Sequence, residues 1–212
     1  MALSLPMCGT WLASHEHFDH AGGLAALQQA TGAPLLASNI AAKYLRMGFV
    51  SDADPQRGFG DFQRYPAIAN VQGYDDGQTL ILGSVQITAH YTPAHSPGST
   101  SWLIKHCNGE ICAATLYADS LNPVAAPDFR FTTAKRRVRE FNEGLRKVRS
   151  NKCDVLISPH PDQSGLSQRY EQSVAGAGLA AFKTGKSGAA SLADVAAARL
   201  KAALQAEAKA GK

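Results

Sequence analysis

Four potential metal ligands fall within six residues of this 212-residue chain. In Ser14-His15-Glu16-His17-Phe18-Asp19-His20-Ala21-Gly22-Gly23 they are spaced H-x-H-x-D-H. Imidazole and carboxylate are the borderline donors that suit Zn²⁺. Three histidines and an aspartate without a cysteine point to an open hydrolytic site rather than a closed structural one. Two further histidines stand in matching surroundings: His95 in Thr92-Pro93-Ala94-His95-Ser96-Pro97-Gly98, and His160 in Val155-Leu156-Ile157-Ser158-Pro159-His160-Pro161. Each follows an apolar, strand-like run and is flanked by prolines, whose fixed φ places the side chain rigidly. They are the fifth and sixth candidate ligands. His90 and His106 lie inside strand patterns and read as ordinary strand residues.

The elements around these residues must bring them to one point. Met7 to Ala13 is apolar and strand-like, and the Gly22-Gly23 pair opens a helix from Leu24 to Thr31, ended by Gly32. The first ligand cluster therefore sits on a strand-to-helix loop. Pro34 to Ala37 reads as a short strand and Ile40 to Leu45 as a helix. Gly48 to Tyr65 is a long loop, in which Phe59, Phe62 and Tyr65 could wall a pocket. Loops of that length in compact domains tend to be functional. Thr79–Leu82 with Val85–Tyr91, and Ser101–His106 with Glu110–Leu116, read as hairpins, the second turning at Asn108-Gly109. Lys135 to Arg149 is an amphipathic helix carrying Val138, Phe141, Leu145 and Val148, and Val155–Ser158 is a buried strand. Helices over Gln168–Phe182 and Ser191–Ala208 complete the chain, the last (within a 189–212 segment) with a frayed alanine-rich tail.

Composition excludes several classes. With 45% hydrophobic and 18% charged residues, 212 residues suffice for a single domain, taken as 1–212, with a sizeable core. A net charge of +4 is only mildly basic, and Lys135-Arg136-Arg137-Val138-Arg139 with Arg146-Lys147-Val148-Arg149 reads as a solvated helix face rather than a nucleic-acid patch. No apolar run reaches the length of a membrane span. In the Asn108-Gly109 register Cys107 faces Glu110, so Cys107 and Cys112 are expected to be unpaired. Cys8 and Cys153 have no obvious mates either. Met1 to Thr10 lacks a charged n-region and a proper apolar h-region, which makes the chain as written cytoplasmic.

From about Leu12 to Phe182 the chain resembles the metallo-β-lactamase superfamily, and within it the β-lactamases of subclass B3. The resemblance rests on residues 14 to 23, on Pro93-Ala94-His95-Ser96-Pro97-Gly98-Ser99-Thr100-Ser101-Trp102, on Tyr117-Ala118-Asp119-Ser120-Leu121-Asn122 and on Cys153 to Pro161. It implies an α/β (α+β) fold, an αββα sandwich with two zinc ions per chain at one edge. His15, His17 and His95 would hold the first zinc, and Asp19, His20 and His160 the second. Ser120 and Asn122 would hold the substrate carboxylate. Family members begin with several strands that this chain lacks, and Cys153 matches one half of a disulfide of some relatives whose other half is missing here. Both features suggest an N-terminally shortened form of an exported enzyme, periplasmic in a full-length relative.

The resemblance implies hydrolysis of a small-molecule β-lactam. Two zinc ions about 3.5–4 Å apart share a water and lower its pKa towards neutrality, giving a hydroxide that attacks the lactam carbonyl. Asp19 would be both ligand and orienter of that nucleophile. Ser14, Ser96 and Ser99 have no general base that is not already a ligand. The alternatives are a thioester hydrolase of the glyoxalase II kind or a lactonase, in which an aspartate at the position of Asp119 bridges the metals, and an inactive zinc-binding fragment. An Asp119 turned away from the metals, with Ser120 facing them, favours the lactamase. The oligomeric state and the substrate spectrum have no signal in the sequence.

Overall fold

A computed structural model describes residues 9–185 and 187–210. Three short parallel strands, β1 (Trp11–Leu12), β2 (Leu35–Ser38) and β3 (Val71–Tyr74), make one sheet in that order. The second sheet has the order β4 (Thr79–Leu82), β5 (Val85–Tyr91), β6 (Thr100–Asn108), β7 (Ile111–Tyr117), β8 (Val155–Ile157). β4 to β7 are antiparallel, as hairpin connections allow, and β8 joins β7 in parallel after the crossover through α4 (Lys135–Ser150).

Strand alternation sorts the side chains into three apolar layers. Leu12, Leu36, Tyr74, Ile87, Trp102, Ile104 and Tyr117 point between the sheets and pack them face to face. Leu35, Ala37 and Val71 point the other way, under Ala41, Ala42 and Leu45 of α3 (Asn39–Met47), with Leu24 of α2 (Leu24–Thr31) alongside. Leu116 and Leu156 face outward from the second sheet against Phe141, Leu145 and Val148 of α4 and Leu192, Ala196 and Leu200 of α7 (Gly188–Ala210). The result is helix, sheet, sheet, helix: the αββα sandwich.

Several local expectations differ from the structure. β3 lies between the expected loop and the first expected hairpin, where the sequence predicts no element, because Val71-Gln72-Gly73-Tyr74 is too short and mixed for a periodic signal. The helix expected over Gln168–Phe182 is broken into α6 (Leu166–Gln172), a π turn at Ser173–Ala177 and a 3₁₀ turn at Gly178–Phe182, and a short α5 (Pro161–Ser164) precedes it. Gly176 and Gly178 break it and Gly165 parts α5 from α6, all three at positive φ. The second hairpin turns one residue later than expected. Gly109, at φ +62°, is the first central residue, as in hairpin turns that begin with glycine. Cys107 then faces Cys112, and the two form a disulfide, against the expectation of free thiols. Cys153 is free and buried, as expected, while Cys8 and the first residues of the expected Met7–Ala13 strand lie outside the described residues. α7 runs on through Ala210.

Candidate metal centre

The histidine loop follows directly from β1. His17 caps the four-residue helix α1 (Phe18–Ala21), and Gly22, whose added Cβ would stand 2.9 Å from Phe18 O, lets the chain turn at once into α2. His15, Glu16 and His17 are buried within the fold. His95 comes from the loop between β5 and β6, Asp119 and Ser120 from the end of β7, and His160 from the end of β8. All these strand ends lie at one edge of the sandwich.

Three imidazoles converge there. His17 Nδ1 stands 3.1 Å from His95 Nε2, and His15 Nε2 is buried beside them with no hydrogen-bond partner among the described residues. The three donor nitrogens lie within 4.8 Å of one another. Tetrahedral zinc, with nitrogen at about 2.0–2.1 Å, spaces its donors about 3.3–3.4 Å apart, close to the observed pair. Each ring is fixed by its other nitrogen. His15 Nδ1 donates to Asp119 Oδ1 at 2.9 Å, His17 Nε2 to Asp54 Oδ2 at 2.9 Å, and His95 Nδ1 to the Asn122 carbonyl at 2.6 Å. Such outer hydrogen bonds set the tautomer that leaves the inner nitrogen free for a metal. An orphaned inner nitrogen with anchored outer ones fits a metal ion of the zinc type.

A second group lies next to the first. Asp19, His20 and His15 place donor atoms within the same 4.8 Å. Asp19 Oδ2 is 3.3 Å from His20 Nε2 and 3.7 Å from His160 Nε2, with the His20 and His160 rings 5.4 Å apart. Asp19 and His160 are the most exposed of the six, their side chains 57% and 38% exposed. The structure thus brings together all six residues singled out in the sequence. Both groups border a cavity of about 300 Å³ whose wall includes His17, Asp19, His95, His160, Ser120 and Asn122. Ser120 is buried there, its hydroxyl without a hydrogen-bond partner among the described residues. Asp119 is turned behind His15 and does not border the cavity.

Charge is distributed to keep the inner rings neutral. Burial lowers His95 to about 3, helped by the neighbouring His17 and His15, and lowers His15 to about 4 against the pull of Asp119. His17 is the exception: burial opposes its charge, but the hydrogen bond and charge of Asp54 outweigh it and raise its pKa. The hydrogen bond from His20 holds Asp19 well below the usual carboxylate range. Glu16, wholly buried behind the site, is pushed up to about 7 by burial and by the nearby Asp54.

Sequence reasoning missed Asp54, Gln56 and Glu16. Asp54 and Gln56 come from the long loop before the 3₁₀ segment Arg57–Gln63. Gln56 borders the cavity, its amide nitrogen 3.2 Å from His95 Nε2 and 3.4 Å from His17 Nδ1. The aromatic residues of that loop do less than expected. Tyr65 is buried and donates to the Glu16 carbonyl at 2.8 Å, and Phe62 stacks on Phe18 while 73% exposed. Glu16 Oε2 accepts from Ser96 Oγ at 2.9 Å, tying the histidine loop to the loop of His95. An aspartate on a loop of unusual length was the one available signal for Asp54.

A sandwich of two sheets with a histidine and carboxylate cluster at the strand ends is the architecture of a metal-dependent hydrolase. Comparison with known proteins agrees. The family profile described as "Metallo-beta-lactamase superfamily" matches residues 7–111. The structure superposes on MEM-A1, a subclass B3 metallo-beta-lactamase isolated from a soil metagenome library, with a TM-score of 0.90 at 38% identity, covering 100% of this chain and 79% of that one. SMB-1 bound to 2-mercaptoethanesulfonate gives 0.89 at 32% identity, covering 98% and 78%, and the Rm3 metallo-beta-lactamase gives 0.90 at 35% identity, covering 97% and 76%. Among curated proteins, the probable metallo-hydrolase YqgX of Bacillus subtilis (strain 168) is 28% identical over 106 residues, 50% of this chain and 48% of that protein. The chain therefore spans about half the length of that relative. It belongs to the metallo-β-lactamase superfamily, and its fold is similar to those of the metallo-beta-lactamases named above.

Proposed function

We propose that this protein is a zinc-dependent hydrolase that opens the β-lactam ring, with two zinc ions per chain. His15, His17 and His95 hold the first, and Asp19, His20 and His160 the second. The observation that carries the reading is the contrast between two neighbouring residues: Ser120 borders the cavity, while Asp119 is turned onto His15 Nδ1. An aspartate bridging two metals, as the thioesterase alternative requires, would have to face the cavity. The likeness to three metallo-β-lactamases supports the same choice.

When bound, zinc supplies Lewis acidity, polarising a carbonyl and making water acidic enough to act as a nucleophile near neutral pH. The chain's own residues do the rest. Asp119, Asp54 and the Asn122 carbonyl hold the three inner rings in their donor tautomers. Asp19, kept ionised beside His20, accepts a hydrogen bond from the attacking water and so orients it. Ser120 Oγ and Asn122 bind the substrate carboxylate and set the lactam carbonyl over the cavity. The buried floor made by His15, Glu16 and Ser96 shuts out bulk water from below. No helix among the described residues is long and apolar enough to cross a membrane. The Cys107–Cys112 disulfide supports maturation in an oxidising compartment such as the periplasm.

The test compares zinc-loaded protein on nitrocefin and on a glutathione thioester. The reading expects turnover of the β-lactam and loss of that turnover in His17→Ala. Preferential hydrolysis of the thioester would reverse the assignment of Asp119 and Ser120.

A further inference from the structure

Among the basic residues of α4, Arg137 does not behave as the sequence suggests. Its side chain is 5% exposed, against 84% for its neighbour Arg136. It runs inward instead of lying on a solvated face. Burying a guanidinium is costly unless its donors are satisfied, and here both Nη groups are engaged while Nε has no partner among the described residues. Arg137 Nη2 donates to the Ala94 carbonyl at 2.7 Å, and Nη1 donates to the Pro93 carbonyl at 3.2 Å and to Glu140 Oε2 at 2.9 Å. The two carbonyls are those immediately before His95. The Ala94 carbonyl belongs to the peptide group whose nitrogen is that of His95 itself, so holding it fixes the plane from which the imidazole projects.

The same helix meets the same segment two turns further along. At Gly144 an added Cβ would lie 2.9 Å from Ala94 N and Thr92 C, and 3.1 Å from Pro93 N. The helix backbone therefore rests directly against residues 92–94. The opposite side of the loop is held by Glu16 on Ser96, and His95 Nδ1 by the Asn122 carbonyl. Arg137 is the only restraint on the two peptide groups between Pro93 and His95 that is carried by a charged side chain from the outer helix layer, among the described residues.

We propose that Arg137 is a positioning residue for the metal centre: through the Pro93 and Ala94 carbonyls, α4 sets where His95 Nε2 stands relative to His15 and His17. The inference rests on the proposed metal centre and adds a residue outside it. A planar fork that engages two carbonyls at once is not reproduced by lysine, which offers one point charge. Lysine should therefore restore the function only in part, and methionine, which fills the space without donors, not at all.

The test measures zinc affinity by competition with a chelating indicator. It uses a His160→Ala background, in which the three-histidine set is the intact one. Arg137→Met should bind that zinc 10- to 100-fold more weakly, the range for losing an outer support of a ligand, with Arg137→Lys in between. Arg146→Met, an exposed change on the same helix, should match the unsubstituted protein. In the metal-free protein, the His95 Nδ1–H resonance, protected by its bond to Asn122, should be lost or exchange-broadened in Arg137→Met but kept in Arg146→Met. Unchanged affinity in Arg137→Met overturns the proposal. So does an equal loss in Arg137→Lys and Arg137→Met with the His95 resonance unmoved, since that marks general destabilisation. If Arg137→Met does not fold, Arg137→Lys decides alone by the same two readouts. Absence of zinc binding in the unsubstituted background refutes the metal centre itself, a result separate from the failure of Arg137.

Discussion

Asp54 offers the sharpest perturbation of the site, because it touches the proposed zinc only through His17. Its side chain is fully buried, with Oδ2 2.9 Å from His17 Nε2 and Oδ1 accepting from Gln56 N at 2.7 Å. Asp54→Asn keeps an acceptor but removes the charge, whereas Asp54→Ala leaves two buried donors unpaired, at about 1–3 kcal/mol each. Loss of the outer anchor should weaken zinc binding about 10- to 100-fold at about pH 8.5 in either variant. The pH dependence has a definite sign. Asp54 raises the pKa of His17 over the opposing effect of burial, and zinc must displace that proton. In the parent protein affinity therefore falls as pH drops through the raised value. In Asp54→Asn that fall moves to lower pH, so the gap between the two narrows on acidification. Stability of the metal-free protein follows the same linkage. A histidine whose pKa is raised on folding contributes stability that is complete below its unfolded value of about 6.5 and is lost as pH rises through the folded value. The deficit of Asp54→Asn should thus be larger at about pH 5.5 than at about pH 8.5. Calorimetric zinc titration and melting of the metal-free protein across that range check both effects. Equal affinities at about pH 8.5, or a stability deficit that grows with pH, would refute the reasoning.

Two further predictions concern other parts of the chain. Ser120→Ala should raise KM for a β-lactam several-fold while leaving zinc stoichiometry unchanged, since a hydroxyl is a poor zinc donor beside imidazole; loss of a zinc equivalent would contradict this. Cys107→Ser with Cys112→Ser opens a loop closed across a sequence separation of 5. It should cost about 2 kcal/mol by the loop-entropy relation, read as a lower denaturation midpoint in the oxidised protein only, with no change after reduction.

The proposed metal ligands stand out in the sequence because their types and spacing are chemically unusual. Four lie in one loop, and His95 and His160 stand between prolines at strand ends. What anchors them was not legible. Asp54 reaches His17 across 37 residues of sequence and Asp119 reaches His15 across 104, and no local pattern records such pairings. The layered fold came with the family resemblance, while the hairpin strands and the amphipathic α4 show in their own periodicity, and β3 has too few residues for its period to show. The disulfide turned on a single residue of register at Gly109, where a one-residue slip reverses which cysteine faces which. Arg137 was read with its basic neighbours as solvated, because helical spacing alone does not reveal that the loop of His95 lies beneath one face of α4.

The most direct measurement is β-lactam hydrolysis by metal-free protein as zinc is added back. Without metal no turnover is expected, and the rate should climb to a plateau at about two equivalents per chain, the number that the two proposed donor sets would hold. The same titration of His17→Ala should stay flat. Full turnover after exhaustive chelation, or two bound zinc ions with no hydrolysis of any β-lactam, would contradict it.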